Sequence, residues 1–316
     1  MNRTLAAALI ACTLSIPTLG QQTPPVFRSS VDLVSVPALV RQKNRPVSGL
    51  TQADFQLLDN GVPQQLTSTA IEMLPLDVTL VLDASSSVQG RLVQFKSEIQ
   101  EIAEALQTND RVRLIAFSTT VREVLPFQPG GSRIPLDSLT AGGGTALYDA
   151  LAGALMSLPD SPRPQLVFGF SDGVDVTSFL DADRVVALAG RTSALLYIRL
   201  VSTPGSKRGD PLDVPALGVF APGDSNVRAA AGSVQLKPDW RRIQEAAERT
   251  GGALVDDSAG AGLSRVFARA LEEFRTSYML RYAPQGVPPS GWHDIVVRVT
   301  RPGKFDVRAR RGYEAG

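Results

Sequence analysis

Val78-Thr79-Leu80-Val81-Leu82-Asp83-Ala84-Ser85-Ser86-Ser87 is the stretch on which the fold turns. Its first five residues are apolar or β-branched, the text of a buried strand. The next five place the Asp83 carboxylate and the Ser85 and Ser87 hydroxyls at the carboxyl end of that strand. Spaced two apart on a turn entering a helix, the three side chains can be aimed to one side. Two other segments carry the same chemistry. Residues 166–170 form a second apolar run closed by Ser171-Asp172-Gly173, and Gly142-Gly143-Gly144-Thr145 offers a hydroxyl on a turn whose missing side chains permit close approach. A helix amino-terminal cap would use the same residue types as 83–87 alone. Thr145 and Asp172 in matching contexts favour an ion instead.

Outward from this stretch, strands alternate with helices. Leu92, Phe95, Ile99, Ile102 and Leu106 recur at steps of three and four, the period of one helical face. Residues 111–117, 165–170 and 194–200 read as further strands, and Leu147, Leu151, Leu155 and Leu158 as a second helix. Trp240, Ile243 and Ala247 mark a helix stopped by Gly251-Gly252. Leu263, Val266, Phe267, Ala270, Leu271 and Phe274 mark a last one. Strands separated by helices need crossover connections, so the expected class is α/β: a mainly parallel, Rossmann-like sheet with helices on both faces. Ligands gather at the carboxyl ends of the strands of such a sheet, where Asp83 and Asp172 stand.

Both ends of the chain read as β structure. In residues 31–71, Asn60-Gly61 separates two strand-like runs, a strong hairpin signal because both residues tolerate positive φ. After Tyr278, Ile295, Val297 and Val299 alternate with polar partners, followed by Phe305, Val307 and Ala309. The expectation is a small β-sandwich-like module in which 27–75 packs with 278–316, flanking a domain over 76–277. Residues 202–237, rich in Pro and Gly, read as a long surface loop. Its Arg208-Gly209-Asp210 is a tripeptide that some cell-surface receptors recognise, but one that recurs by chance.

At 316 residues and 43% hydrophobic, the chain has material for a sizeable core. Arg3, the apolar run 5–14 and Thr18-Leu19-Gly20 predict a cleavable export signal over residues 1–20. That run falls short of the ~20 residues needed to cross a bilayer, so no transmembrane span is expected in the mature chain. The sole cysteine, Cys12, lies inside the signal, which excludes disulfides after cleavage; Leu9-Ile10-Ala11-Cys12 leaves a lipid anchor at Cys12 as the alternative. Losing Arg3 from 32 basic residues leaves 31 against 31 acidic ones, which gives nucleic-acid binding no electrostatic support. The cluster Arg298, Arg301, Lys304, Arg308, Arg310 and Arg311 reads as a solvated strand face.

Two carboxylates and three hydroxyls, without a histidine or cysteine cluster, suit a hard cation: Mg²⁺, with Mn²⁺ or Ca²⁺ as alternatives, and not zinc. Incomplete coordination would leave a position for an Asp or Glu of a protein partner, which is binding without catalysis.

Residues 76–277 resemble a von Willebrand factor type A domain, and Asp83, Ser85, Ser87, Thr145 and Asp172 match its metal-ion-dependent adhesion site. The flanks resemble a bacterial group of exported VWFA-related proteins in Leu50-Thr51-Gln52-Ala53-Asp54-Phe55, Ser277-Tyr278-Met279-Leu280-Arg281-Tyr282 and Arg310-Arg311-Gly312-Tyr313. The resemblance implies that Asp83, Ser85 and Ser87 anchor the ion while Thr145 and Asp172 bind it directly or through water. It also implies an adhesion or assembly role, periplasmic or extracellular. Two other readings compete. Gly169-Phe170-Ser171-Asp172-Gly173 fits the G-x-S-x-G elbow of serine hydrolases, with His293 as base, although an elbow should lead straight into a helix and residues 174–178 read as loop. Alternatively, the ion only staples loops together.

Overall fold

Apolar runs of two-residue period become strands at both chain ends. The computed structural model describes residues 33–43, 45–71, 74–159, 161, 163–200, 212–215, 233–236, 239–256 and 263–315. The first segment contains β1 (Val34–Gln42), β2 (Arg45–Pro46), β3 (Phe55–Asp59), β4 (Val62–Gln64) and β5 (Leu66–Ile71). The middle segment runs β6 (Asp77–Asp83), α1 (Leu92–Ala105), β7 (Arg111–Phe117), β8 (Val121–Pro129), α2 (Leu147–Met156), β9 (Gln165–Ser171), α3 (Ala182–Arg191) and β10 (Leu195–Leu200). It continues with β11 (Leu212–Pro215), β12 (Ser233–Leu236), α4 (Trp240–Thr250), β13 (Ala253–Asp256) and α5 (Leu263–Arg275). The last segment adds β14 (Tyr278–Tyr282), β15 (Gly291–Val299), β16 (Asp306–Ala309) and β17 (Gly312–Ala315).

The middle segment builds a six-stranded sheet in the order β13-β10-β9-β6-β7-β8. Alternation along β6 sends Val78, Leu80 and Leu82 to one face, where α1 and α5 cover them with Phe95, Ile99 and Phe267. Val81 faces the other way, into a core closed by α2, α3 and α4 through Leu151, Val186 and Ile243. Helices therefore lie on both faces. The sheet is mixed: β13, β10, β9, β6 and β7 are joined by parallel pairings, but β7 pairs β8 antiparallel. An edge strand can reverse because a short turn suffices to reach it. The other sheets pair antiparallel wherever a register is defined.

The chain ends meet. β1 pairs with β14 and β16, and β14 also with β5; in a second sheet β15 pairs with β3 and β17. The two sheets share one core, in which Val36, Val40 and Leu280 of the first meet Phe55, Leu57 and Ile295 of the second. At the β3–β4 hairpin, Asn60 and Gly61 take φ values of 48° and 80°, the left-handed pair that this two-residue turn requires. The segment read as an export signal, Cys12 and Arg208-Gly209-Asp210 lie outside the described residues. No helix among the described residues is long and apolar enough to cross a membrane.

Trp292 of β15 is wedged against α3. A Cβ on Gly190 would lie 2.7 Å from its ring, and one on Gly312 would lie 2.4 Å from it. The Arg249 guanidinium covers the indole at 4.6 Å. Gly190→Ala is therefore expected to destabilise the protein by about 1–2 kcal/mol, because overpacking costs ~1–3 kcal/mol and exceeds the helix propensity gained near a helix end. Urea unfolding checks this, with Gly190→Ala/Trp292→Leu as the control in which the clash is absent. Equal stability of Gly190→Ala and wild type would show the wedge to be soft.

Candidate metal centre

Neighbouring parallel strands β6 and β9 bring their carboxyl ends to one edge, Leu82 pairing with Phe170, so Asp83 and Asp172 emerge side by side. After Asp83 the chain turns into a short 3₁₀ helix, Ser86–Arg91, for which Ser85 stands at the N-cap without making a side-chain capping bond. The Ser85 hydroxyl instead meets the Ser87 hydroxyl at 2.9 Å. The Ser85 N–H donates to Asp83 Oδ1 at 2.8 Å, which fixes the turn.

The Gly-rich turn is stitched to this one. Gly142 N–H donates to the Ala84 carbonyl (2.9 Å), and Ser86 N–H to the Gly143 carbonyl (3.1 Å). The Thr145 carbonyl accepts from Val176 and Thr177 at 2.8 and 3.1 Å, tying it to the loop after β9 as well. Glycine is needed here: Gly143 has φ +81°, and a Cβ on Gly144 would come within 2.6 Å of Thr177. Thr145 is thereby buried between the two strand-end loops.

Asp83 is fully buried and Asp172 nearly so. Burial, followed by the charge of Asp172, pushes the Asp83 carboxyl up to about 6, against the pull of hydrogen bonds from Ser171 and Ser85. Burial also raises Asp172, opposed by hydrogen bonds from the Ser87 hydroxyl and the Val174 N–H. Asp172 Oδ1 accepts from Val174 at 3.2 Å, whereas its Oδ2 is buried without a hydrogen-bond partner. Two adjacent buried carboxylates, one oxygen unspent, with hydroxyls around them, form a donor set that fits a hard divalent cation. No group of three or more His, Cys, Asp or Glu side chains placed to hold a metal ion occurs among the described residues, so the side-chain donors here beyond the two carboxylates are hydroxyls.

Sequence reasoning valued Ser171 only as a nucleophile and missed its place here. Its hydroxyl donates to Asp83 Oδ2 at 2.6 Å and accepts from Gly173 N–H at 3.1 Å, which orients the Asp83 carboxylate. The signal was its position beside Asp83 on the next parallel strand. His293 lies elsewhere, in β15. It is buried, and its Nδ1 is engaged by Asp59 at 2.7 Å and Tyr313 at 3.2 Å. The structure thus gives Ser171 and His293 different partners and does not assemble them as a nucleophile–base pair. The C-terminal basic cluster also divides: Arg298, Arg301, Lys304 and Arg311 are exposed, but Arg310 is buried and donates to the Gly312 and Gly190 carbonyls. Strand alternation and the docking of β17 on α3 account for the split.

A family model for the von Willebrand factor type A domain matches residues 78–174, which span all five candidate ligands. Similar solved structures include an aerotolerance-related membrane protein from Bacteroides fragilis NCTC 9343, 19% identical, covering 63% of this chain and 98% of that one, with TM-score 0.43. BatB from Bacteroides thetaiotaomicron is 20% identical over 62% of this chain and 99% of its own (TM-score 0.42). A von Willebrand factor type A protein from Catenulispora acidiphila is 12% identical over 88% and 75% (TM-score 0.46). No curated protein matches the chain. The segment 78–174, whose strand-end loops fold into the arrangement described above, is what matches the von Willebrand factor type A domain.

Proposed function

We propose that this chain is an exported, non-enzymatic protein-binding module that captures an acidic side chain of its partner at the Asp83/Asp172 edge. The observation that carries the reading is the pair of buried carboxylates with the unspent Asp172 Oδ2. Asp83, Ser85 and Ser87 would hold Mg²⁺ or a similar cation, with Thr145 and Asp172 closing the site from the neighbouring loops. The ion supplies a positive, incompletely coordinated point to which a partner's Asp or Glu can bind. The residues themselves supply position: Ser171 orients Asp83, and the Gly142–Ala84 and Gly143–Ser86 backbone bonds hold the loops in register.

Calorimetric titration of Mg²⁺ and Mn²⁺ into the full chain tests this. Asp172→Asn is expected to weaken binding at least tenfold, since removing one charged ligand costs more than about 1.4 kcal/mol. A pull-down from envelope extract in Mg²⁺ and in EDTA reads partner capture. Prey retained equally in both conditions, or wild type that takes up no divalent ion, would sink the proposal.

A further inference from the structure

Away from the metal edge, α5 and the strands β1, β10, β13 and β16 enclose a cavity of about 430 Å³. Among the described residues, four arginines line it, Arg41, Arg265, Arg269 and Arg308, against one carboxylate, Glu273. Glu273 already accepts from three of them: Arg41, Arg308 and, at 3.3 Å, Arg269. Among the described lining residues the excess is therefore three positive charges. Asp306, opposite Arg41 in the β1–β16 pairing, is exposed and does not line the cavity. The donors are not used up either, because Nε of Arg41 and Nε of Arg308 are buried without hydrogen-bond partners. Arg308 also donates to the Tyr197 hydroxyl at 2.6 Å and lies over its ring at 5.5 Å, so its guanidinium is fixed in place. Burial first, then the charges of Arg308 and Arg269, lower the Arg41 pKa, and the Asp306 carboxylate opposes them.

We infer that this cavity is a binding site for a small phosphate monoester. A single carboxylate ligand would leave most of the surplus charge uncompensated. A phosphate monoester brings about −1.5 to −2 and three acceptor oxygens, which suits several guanidinium forks arriving from different elements. The cavity has room beyond a phosphoryl group for a compact organic body, and Val255 and Val266 give part of its wall an apolar character. None of these residues belongs to the metal edge, and the site does not depend on it.

Glycerol phosphate, titrated into the full chain at fixed ionic strength, is the first probe. Saturable binding is expected, weakened about tenfold or more in Arg308→Gln. Arg265→Ala/Arg269→Ala alters exposed side chains and should keep the fold while weakening binding. A second arm separates a soluble ester from a lipid headgroup by flotation with phosphatidylcholine vesicles with and without phosphatidic acid. Flotation that depends on phosphatidic acid and on Arg308 assigns the source to a membrane; solution binding alone assigns it to a soluble ester. The inference is overturned if glycerol phosphate raises the melting temperature no more than chloride does, if both variants bind like wild type, or if vesicles bind while the free ester does not.

Discussion

Magnesium at a hundred times its dissociation constant is expected to stabilise the wild-type chain by about 2.7 kcal/mol, and Asp83→Ala by nothing measurable. The stabilisation arises because an ion that binds only the folded state removes folded protein from the unfolding equilibrium. Asp83 is the residue on which this depends most. It alone is reached from the first strand-end turn through Ser85 N–H, from the adjacent strand through Ser171, and electrostatically from Asp172. Without an ion, its burial beside a second carboxylate works against the fold, so Asp83→Ala removes a repulsion even as it leaves the Ser171 hydroxyl and the Ser85 amide short of an acceptor. The metal-free stability of the variant thus reflects two opposing effects, whereas the ion-induced shift has one origin. Urea unfolding of both proteins in Mg²⁺ and in EDTA separates them, and equal shifts in wild type and variant would place the ion elsewhere.

The second large effect lies in the sandwich. Asp59→Ala is expected to cost roughly 3–5 kcal/mol, the range for stripping a buried charge from its partners. Asp59, at the end of β3, is completely buried and accepts from Tyr282 at 2.7 Å and Tyr313 at 3.2 Å through Oδ2, while Oδ1 meets His293 Nδ1 at 2.7 Å. Tyr282 belongs to one sheet, and Asp59, His293 and Tyr313 to the other, so the carboxylate clasps the two layers. Losing it strands three buried polar groups at once. The same cluster makes the fold sensitive to alkali. Burial first, with the Asp59 carboxylate adding to it, raises both phenols, Tyr313 to about 12. A tyrosine that stays neutral in the folded state but ionises near its ordinary value of about 10 when unfolded stabilises the fold fully below pH 10. That contribution is lost as pH rises from about 10 through about 12. Tyr282→Phe should flatten the decline. Unfolding free energies measured between pH 8 and 11.5 decide it, and parallel curves for variant and wild type would exclude the cluster as the cause.

How much of this was legible beforehand depended on how each segment is buried. The strands β6, β7 and β9 are covered on both faces, so they appear as largely apolar runs, broken internally only by Thr79 in β6 and Arg113 in β7, and the oxygen-bearing residues that end two of them could be read directly. Helix α3 was missed because Ala182, Ala189 and Gly190 supply much of its buried face, leaving few large residues to mark a period. Its cap could have been seen: Asp181 accepts from Arg184 N–H at 2.9 Å, with an acid in the first turn and an arginine in the last. Edge strand β8 carries Pro126 and Pro129 and has no fully buried residue, a pattern that a sheet edge tolerates and a central strand does not. Clustering of the four arginines around Glu273 was beyond reach, because Arg41, Tyr197 and Arg308 are brought together only by pairings across most of the chain.

Closure of the sandwich by opposite chain ends imposes an order of events on biosynthesis. Val34 pairs with Tyr282 and Phe55 with Val299, so β1 and β3, beyond their local pairings with β2 and β4, gain these partners only once the segment from Tyr278 onward has been synthesised. At typical synthesis rates that delay is on the order of tens of seconds. The six-stranded sheet draws its strands only from residues between Asp77 and Asp256 and can assemble during the interval. Meanwhile the apolar inner side of β1, with Val36, Ala38 and Val40, stays uncovered, and an uncovered apolar strand is open to misassociation until its partners arrive.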